Sequence, residues 1–251
     1  MCISCVLYLL KQASHNGNAV RNVALEKEMI DTLTGEGSRS HLLKGLLEEA
    51  ATRQDAQIKE AVHLQKFFIS FWMGDYQVAM KYSSLALETR TAQMPKIQLV
   101  YHVFYRGLIS FHLYQNGHGE EWLNEGRKML AKVEVWHDHS KSIFENKLML
   151  LRAGLYSARG IVRRANQFYE QSIKAARDNG YIHEVGLACE CYAHYLKSCV
   201  DFSAADDQYI QAYECYLQWG ANAKAKKLKD EHNLDLSNAS RVPSAKHDRG
   251  V

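Results

Sequence analysis

Cysteine, histidine and arginine are the residues with most chemistry to offer in this chain, and their spacing limits how much of it is usable. Cys189 and His194 would make a nucleophile and its base. Five residues along a helix, however, turn two side chains about 140° apart, so they do not meet unaided, and no third group is placed to orient the imidazole. Buried thiols are the simpler reading. Of the 6 cysteines, at positions 2, 5, 189, 191, 199 and 215, only Cys2 and Cys5 have the C-x-x-C spacing, whereas zinc sites usually take two such clusters. His137 and His139 flank Asp138 in "WHDHS", but alternating ligands face one way on a strand, and this segment reads as a helix end or loop. Arg159, Arg163 and Arg164 cluster beside a bend without the exposed stacking aromatics that nucleic acid would require. Phe67, Phe68, Phe71 and Trp72 form an apolar stripe that suits a ligand groove or, more commonly, the core between stacked helices.

Other catalytic signatures are missing. The sequence contains no GxxxxGK[ST] phosphate loop, no HRD or DFG, and no glycine-rich kinase loop; "TGEGS" at 34–38 is too short and lacks the lysine. The expectation is a non-enzymatic chain with no metal or cofactor. Its 31 basic and 28 acidic side chains leave a net charge of +3, too little to draw it to nucleic acid or anionic lipid. The opening "MCISCVLYLL" is apolar for about ten residues where a bilayer span takes about 20. It also lacks a basic n-region and a small-residue cleavage site, so neither a membrane span nor a signal peptide is expected. Palmitoylation of Cys2 and Cys5 has no neighbouring basic patch to support it. Reduced, buried cysteines fit a cytoplasmic protein.

The elements that must position these residues are helices. Only 2 prolines, Pro95 and Pro243, interrupt the 251 residues. In "GDYQVAMKYSSLALE", Gly74 and Tyr76 mark a bend, followed by Ala79 and Ala86. The same offsets return from Gly160, giving Ala165 and Ser172, and from Val200, giving Ala205 and Ala212. A period of about 34–45 residues signals stacked helical hairpins, each covering its apolar face with its neighbour. One further unit fits between the first two bends, with "KIQLVYHVFYRGLISFHLYQ" and "EEWLNEGRKMLAKVEVW" as its helices around "NGHG". The clearest helix is 163–178, where Ala165, Phe168, Tyr169, Ser172, Ile173 and Ala176 make one stripe and Asn179–Gly180 the stop. Small residues recur because two helices crossing this closely admit little more than a Cβ at the contact.

These positions resemble the tetratricopeptide repeat. The best unit carries Ala153, Tyr156, Ala165 and Ser172, and the next Ala193, Leu196, Ala205 and Ala212. The resemblance implies an all-α fold, a right-handed superhelical α-solenoid of tetratricopeptide-like hairpins. The expected organisation is an irregular helical segment over 1–56, four hairpins with a C-terminal capping helix over 57–232, and a disordered tail over 233–251. In such repeats the first helix of each unit lines the concave face. Lys147, Leu150, Glu190, His194 and Lys197 are therefore expected as an exposed interaction surface of mixed charge.

A second resemblance covers residues 57–232. Ala176, Asn179, Gly180, Tyr181, Ile182, Glu184, Leu187, Ala188 and Glu190, and later Tyr209, Ala212, Cys215, Tyr216, Trp219, Gly220, Ala221, Ala223 and Lys224, follow a pattern similar to the end of the helical-repeat region in large signalling kinases. Gly186 stands where that pattern has alanine, and the glycine of the bend is lost at Ser198–Phe202. Such proteins carry a kinase-like domain, an AAA-type ATPase domain, these repeats, a GAF domain and often a histidine kinase. The resemblance implies a regulatory scaffold contacting an adjacent domain or a protein partner, with any catalysis outside this chain. Two other expectations stand beside it: a free-standing adaptor holding a peptide in its concave groove, and a small-molecule sensor with an apolar pocket around Phe68 and Trp72.

Overall fold

The computed structural model describes residues 17–36, 40–89 and 96–236. Among them are eleven helices and no strand: α1 Gly17–Thr34, α2 Ser40–Thr52, α3 Ala56–Trp72, α4 Tyr76–Glu88, α5 Lys96–Gln115, α6 Glu120–His139, α7 Lys141–Ala158, α8 Val162–Asp178, α9 Ile182–Ser198, α10 Phe202–Trp219 and α11 Asn222–His232. The chain is all-α. Its closest packing joins α3 to α4, α5 to α6, α7 to α8 and α9 to α10, and each pair then packs on the next in chain order.

Bends form where the left-handed region is occupied. Gly74 (φ 77°), Gly117 (φ 83°), Gly119 (φ 100°) and Gly160 (φ 68°) turn the first three pairs, while Val200 (φ 65°) turns the fourth. Glycine takes this conformation freely, whereas a side chain there costs about 1–2 kcal/mol. The lost glycine is thus replaced by a strained valine in the same geometry. Asp55 starts α3 by accepting hydrogen bonds from the Gln57 and Ile58 amides at 3.0 and 3.1 Å, and Gly220 ends α10 in the left-handed region.

At the crossings, Ala79, Ala86, Ala153, Ala165, Ser172, Ala193, Ala205 and Ala212 are each at most 1% exposed. Tyr76 covers the first bend against Phe71, and Tyr156 stacks on Phe168 with ring centroids 5.3 Å apart. The α5–α6 pair solves the same problem with glycine. A Cβ on Gly107 would meet Leu151 at 2.7 Å, and one on Gly126 would meet Phe111 at 2.5 Å. Phe111 also lies against Gly154 of α7, so one ring occupies two glycine notches. Gly186 has its own reason: a Cβ there would lie 2.8 Å from the Tyr216 ring.

One core cluster runs from α1 to α11, and a smaller one, built on Leu25, Leu43, Ala50, Ile58 and Val62, holds the N-terminal helices to α3. Phe67, Phe71 and Trp72 belong to the main cluster. The C-terminal boundary needs correction, because Leu234 is buried and Leu236 packs against the main cluster, so ordered packing extends past 233. Cys2, Cys5 and residues 237–251 lie outside the described residues.

Candidate functional site

The surface expected on the concave side is largely interior. Lys147, Leu150 and Glu190 are buried, His194 is half-buried, and only Lys197 is exposed. The reason is the curl of the hairpins, which brings the ends of the stack together. Trp72 on α3 meets Trp219 on α10 with ring centroids 5.1 Å apart and meets Tyr216 at 6.0 Å. His112 on α5 approaches His194 on α9 at 6.3 Å, and α11 packs on both α10 and α1. Positions that an open repeat presents to solvent are here enclosed by the chain itself.

Two ion pairs are buried within this interior. Lys147 Nζ lies 2.7 Å from Glu184 Oε1, joining α7 to α9. The ammonium is surrounded by the rings of Tyr101, Tyr181 and Phe104, and Asn146 donates to the same carboxylate. Ser172 at the α8 crossing donates to the Asn146 carbonyl at 2.8 Å, tying the repeat position to this polar core. The second pair joins α9 to α11: Lys224 Nζ and Tyr216 Oη each donate to Glu190 at 2.6 Å. Burial pushes the Glu190 carboxyl up, but Lys224 and His194 outweigh it and hold it below the usual carboxylate range.

Imidazoles surround these pairs. His194 Nδ1 and the Tyr209 hydroxyl share a hydrogen bond of 2.9 Å, and His232 stacks on Tyr209 at 3.8 Å. His183 stacks on Trp219 at 5.2 Å. Burial lowers the pKa of His112, His183 and His232 to about 4 each; neighbouring His194 lowers it further for His112 and His232. They are neutral at pH 7. Burial likewise pushes Cys191 up to about 12 and Cys215 up to about 11, and raises Cys189 as well, which keeps these thiols protonated at neutral pH.

Between these groups a cavity of about 580 Å³ opens among the α3–α4 bend, α5, α7, α8 and α9. Phe71, Phe111, Leu150 and Tyr169 form much of its wall, and His112 and His194 face it. At its rim Gln115 donates to the Ser157 hydroxyl at 2.5 Å. The structure thus brings Leu150 and His194 to one cavity, sets Glu190 3.9 Å from His194, and separates Lys147 and Lys197 from it.

Elsewhere, His137 pairs with Glu145 in the last turn of α6, and no group of three His, Cys, Asp or Glu suited to a metal occurs among the described residues. Arg159, Arg163 and Arg164 are exposed at the α7–α8 bend, where Arg164 covers the Tyr156 ring. No described helix is long and apolar enough to cross a membrane. Glu184, His112, Tyr216 and Lys224 were not singled out as site residues from sequence. The available signal was two carboxylates, Glu184 and Glu190, within the otherwise apolar α9 run "VGLACECYA" and its start.

Compared with protein-family models, with curated proteins and with solved structures, the chain gives no match.

Proposed function

We propose that the chain is a non-catalytic interaction and regulatory scaffold, a right-handed superhelical solenoid of tetratricopeptide-like hairpins resembling the repeat region of ATPase-containing signalling kinases. Its setting is the cytoplasm. The observation that carries this reading is the return of a buried small residue at three of the four hairpin crossings, at Ala79, Ala165 and Ala205 and again at Ala86, Ser172 and Ala212. That periodic packing builds a stiff stack whose outer surface, rather than a reacting group, is available for work.

The partner is an adjacent domain of a larger signalling protein or a separate protein, and it meets the outside of the stack. Ile161 and Val162 at one bend and Val200 and Phe202 at the next are exposed, Val200 to 71%. Consecutive first-to-second-helix bends of stacked hairpins share an edge, so these apolar residues fall on one side. A peptide in the concave groove, the adaptor reading, is weakened because Lys147, Leu150 and Glu190 are already buried.

Reading the frame on both sides of the codons for Met1 and Val251 tests the signalling-kinase reading. Continuation into ATPase and kinase-like segments supports it. Stop codons on both sides remove it and leave the free-standing adaptor. Within the longer product, Phe202→Glu is expected to loosen the contact with the neighbouring domain, measured as faster proteolysis between them, while the helical signal is unchanged.

A further inference from the structure

We propose that the cavity among α3, α5, α7, α8 and α9 is a binding site for a neutral, aromatic small molecule that exchanges one hydrogen bond with His112. Its volume of about 580 Å³ falls within the range of about 300–1,000 Å³ usual for ligand sites. The charge of the lining decides the ligand class. None of the residues lining it is Asp, Glu, Lys or Arg, although the chain has 59 such side chains, 31 basic and 28 acidic. Glu190, 3.9 Å from the lining residue His194, is already neutralised by Lys224. A charged ligand would lose its hydration there with no opposite charge to meet, which excludes carboxylates, phosphates and amines.

The walls select for rings. Phe71, Phe111, Tyr76 and Tyr169 offer aromatic faces and edges to a flat apolar body. His112 supplies the polar contact. Its ring meets Tyr76 at 4.6 Å and His194 at 6.3 Å, yet its nitrogens make no hydrogen bond among the described residues. An imidazole that is mostly withdrawn from water, neutral and without a hydrogen-bond partner holds a donor and an acceptor ready for an incoming hydroxyl or amide. His194 is different, since its Nδ1 is engaged by Tyr209 at 2.9 Å and its Nε2 faces Glu190 at 3.9 Å. The site also differs from the pocket expected at Phe68 and Trp72: Trp72 is filled in by Tyr105, Tyr216 and Trp219, and the open volume lies on the other side of Phe71. Because its walls come from four hairpins, an occupant bridges them and stabilises the curled form.

Calorimetric titration of the full chain with 2-naphthol, naphthalene and 2-naphthoate tests the assignment. The neutral alcohol is expected to bind about fivefold more tightly than naphthalene, the equivalent of one net hydrogen bond. The anion is expected to bind at least about tenfold more weakly than the alcohol. His112→Phe keeps a ring in place, and it is expected to bring 2-naphthol down to the affinity of naphthalene while leaving naphthalene unchanged. Ala158→Trp, which fills the cavity from the end of α7, is expected to abolish binding of both with the far-ultraviolet dichroism unaltered. Equal binding of 2-naphthoate and 2-naphthol, no binding of 2-naphthol, or undiminished binding to a folded Ala158→Trp variant would each overturn the proposal. A His112→Phe variant that weakens naphthalene as much as 2-naphthol would remove the role of His112.

Discussion

The hairpin crossings and the curled interior are both buried, but opposite kinds of side chain fill them. At the crossings the contact is made by what is missing: Ala153, Ala165, Ala193 and Ala205, or the notch at Gly126 that takes Phe111. In the interior it is made by large and polar groups, the Lys147–Glu184 and Glu190–Lys224 pairs, the Trp72–Trp219 contact and three neutral histidines. Crossings join helices adjacent in sequence and depend on shape. The interior joins α3 to α10 and α9 to α11 and depends on charge state. Local packing therefore makes the hairpins, and a titratable interior keeps the stack curled.

Acid provides the largest expected break in this comparison, because three sites titrate together. Above pH 6.5, His112, His183 and His232 are neutral in folded and unfolded chains alike. Between pH 6.5 and about 4 only the unfolded or uncurled chain takes up their protons. Their contribution to stability is complete above that window, falls as the pH falls through it, and levels off below it. The groups facing them are Tyr76, His118 and His194 around His112, Glu184 and Lys147 around His183, and Lys197, His194, Glu190 and Glu231 around His232. With Trp122 and Trp136 replaced by phenylalanine, the fluorescence of Trp72 and Trp219 is expected to change at higher pH than far-ultraviolet dichroism does. A single shared transition would mean that hairpins and curl are one cooperative unit.

Next in size is Glu190→Gln. It leaves the Lys224 ammonium buried without its counter-charge and is expected to cost about 3–5 kcal/mol in urea unfolding. Loss of the α11 docking before the α7–α8 hairpin melts, seen by hydrogen exchange, would sharpen the distinction. Gly126→Ala acts at a crossing instead. Its Cβ would fall 2.5 Å from Phe111, and the expected cost is about 1–3 kcal/mol. Phe111→Leu in the same chain is expected to recover part of that loss, as residues in contact couple; simple additivity would show that the notch and the ring are independent. The smallest effect is a gain. Val200→Gly relieves the left-handed valine at the fourth bend and is expected to stabilise by up to about 1 kcal/mol, read from the urea midpoint.

The α5–α6 hairpin shows where sequence reading loses its grip. Its helices were expected at the right places, because Val100, Phe104, Leu108 and Phe111 keep helical spacing through Lys96–Gln115. Its crossing did not match the repeat pattern, because volume was exchanged between partners. Glycine at 126 and 154 takes the Phe111 ring, and glycine at 107 takes Leu151 and Met129, where the repeat pattern has alanine against a medium side chain. A pattern that scores single positions does not register that exchange.

The site shows the other limit. Lys147, Leu150 and Glu190 were expected as exposed positions of an open groove, and the structure buries all three. Helix positions, bends and crossing residues follow from interactions within a few turns, so periodicity and backbone preference are enough to read them from the order of amino acids. Whether the stack remains open or curls on itself depends on Trp72 meeting Trp219 and on Glu190 meeting Lys224 across 34 residues or more. Those contacts carry no local periodicity. They join helices far apart in the chain, and together they placed a buried ion pair and a neutral cavity where the chain's own order had indicated an exposed surface.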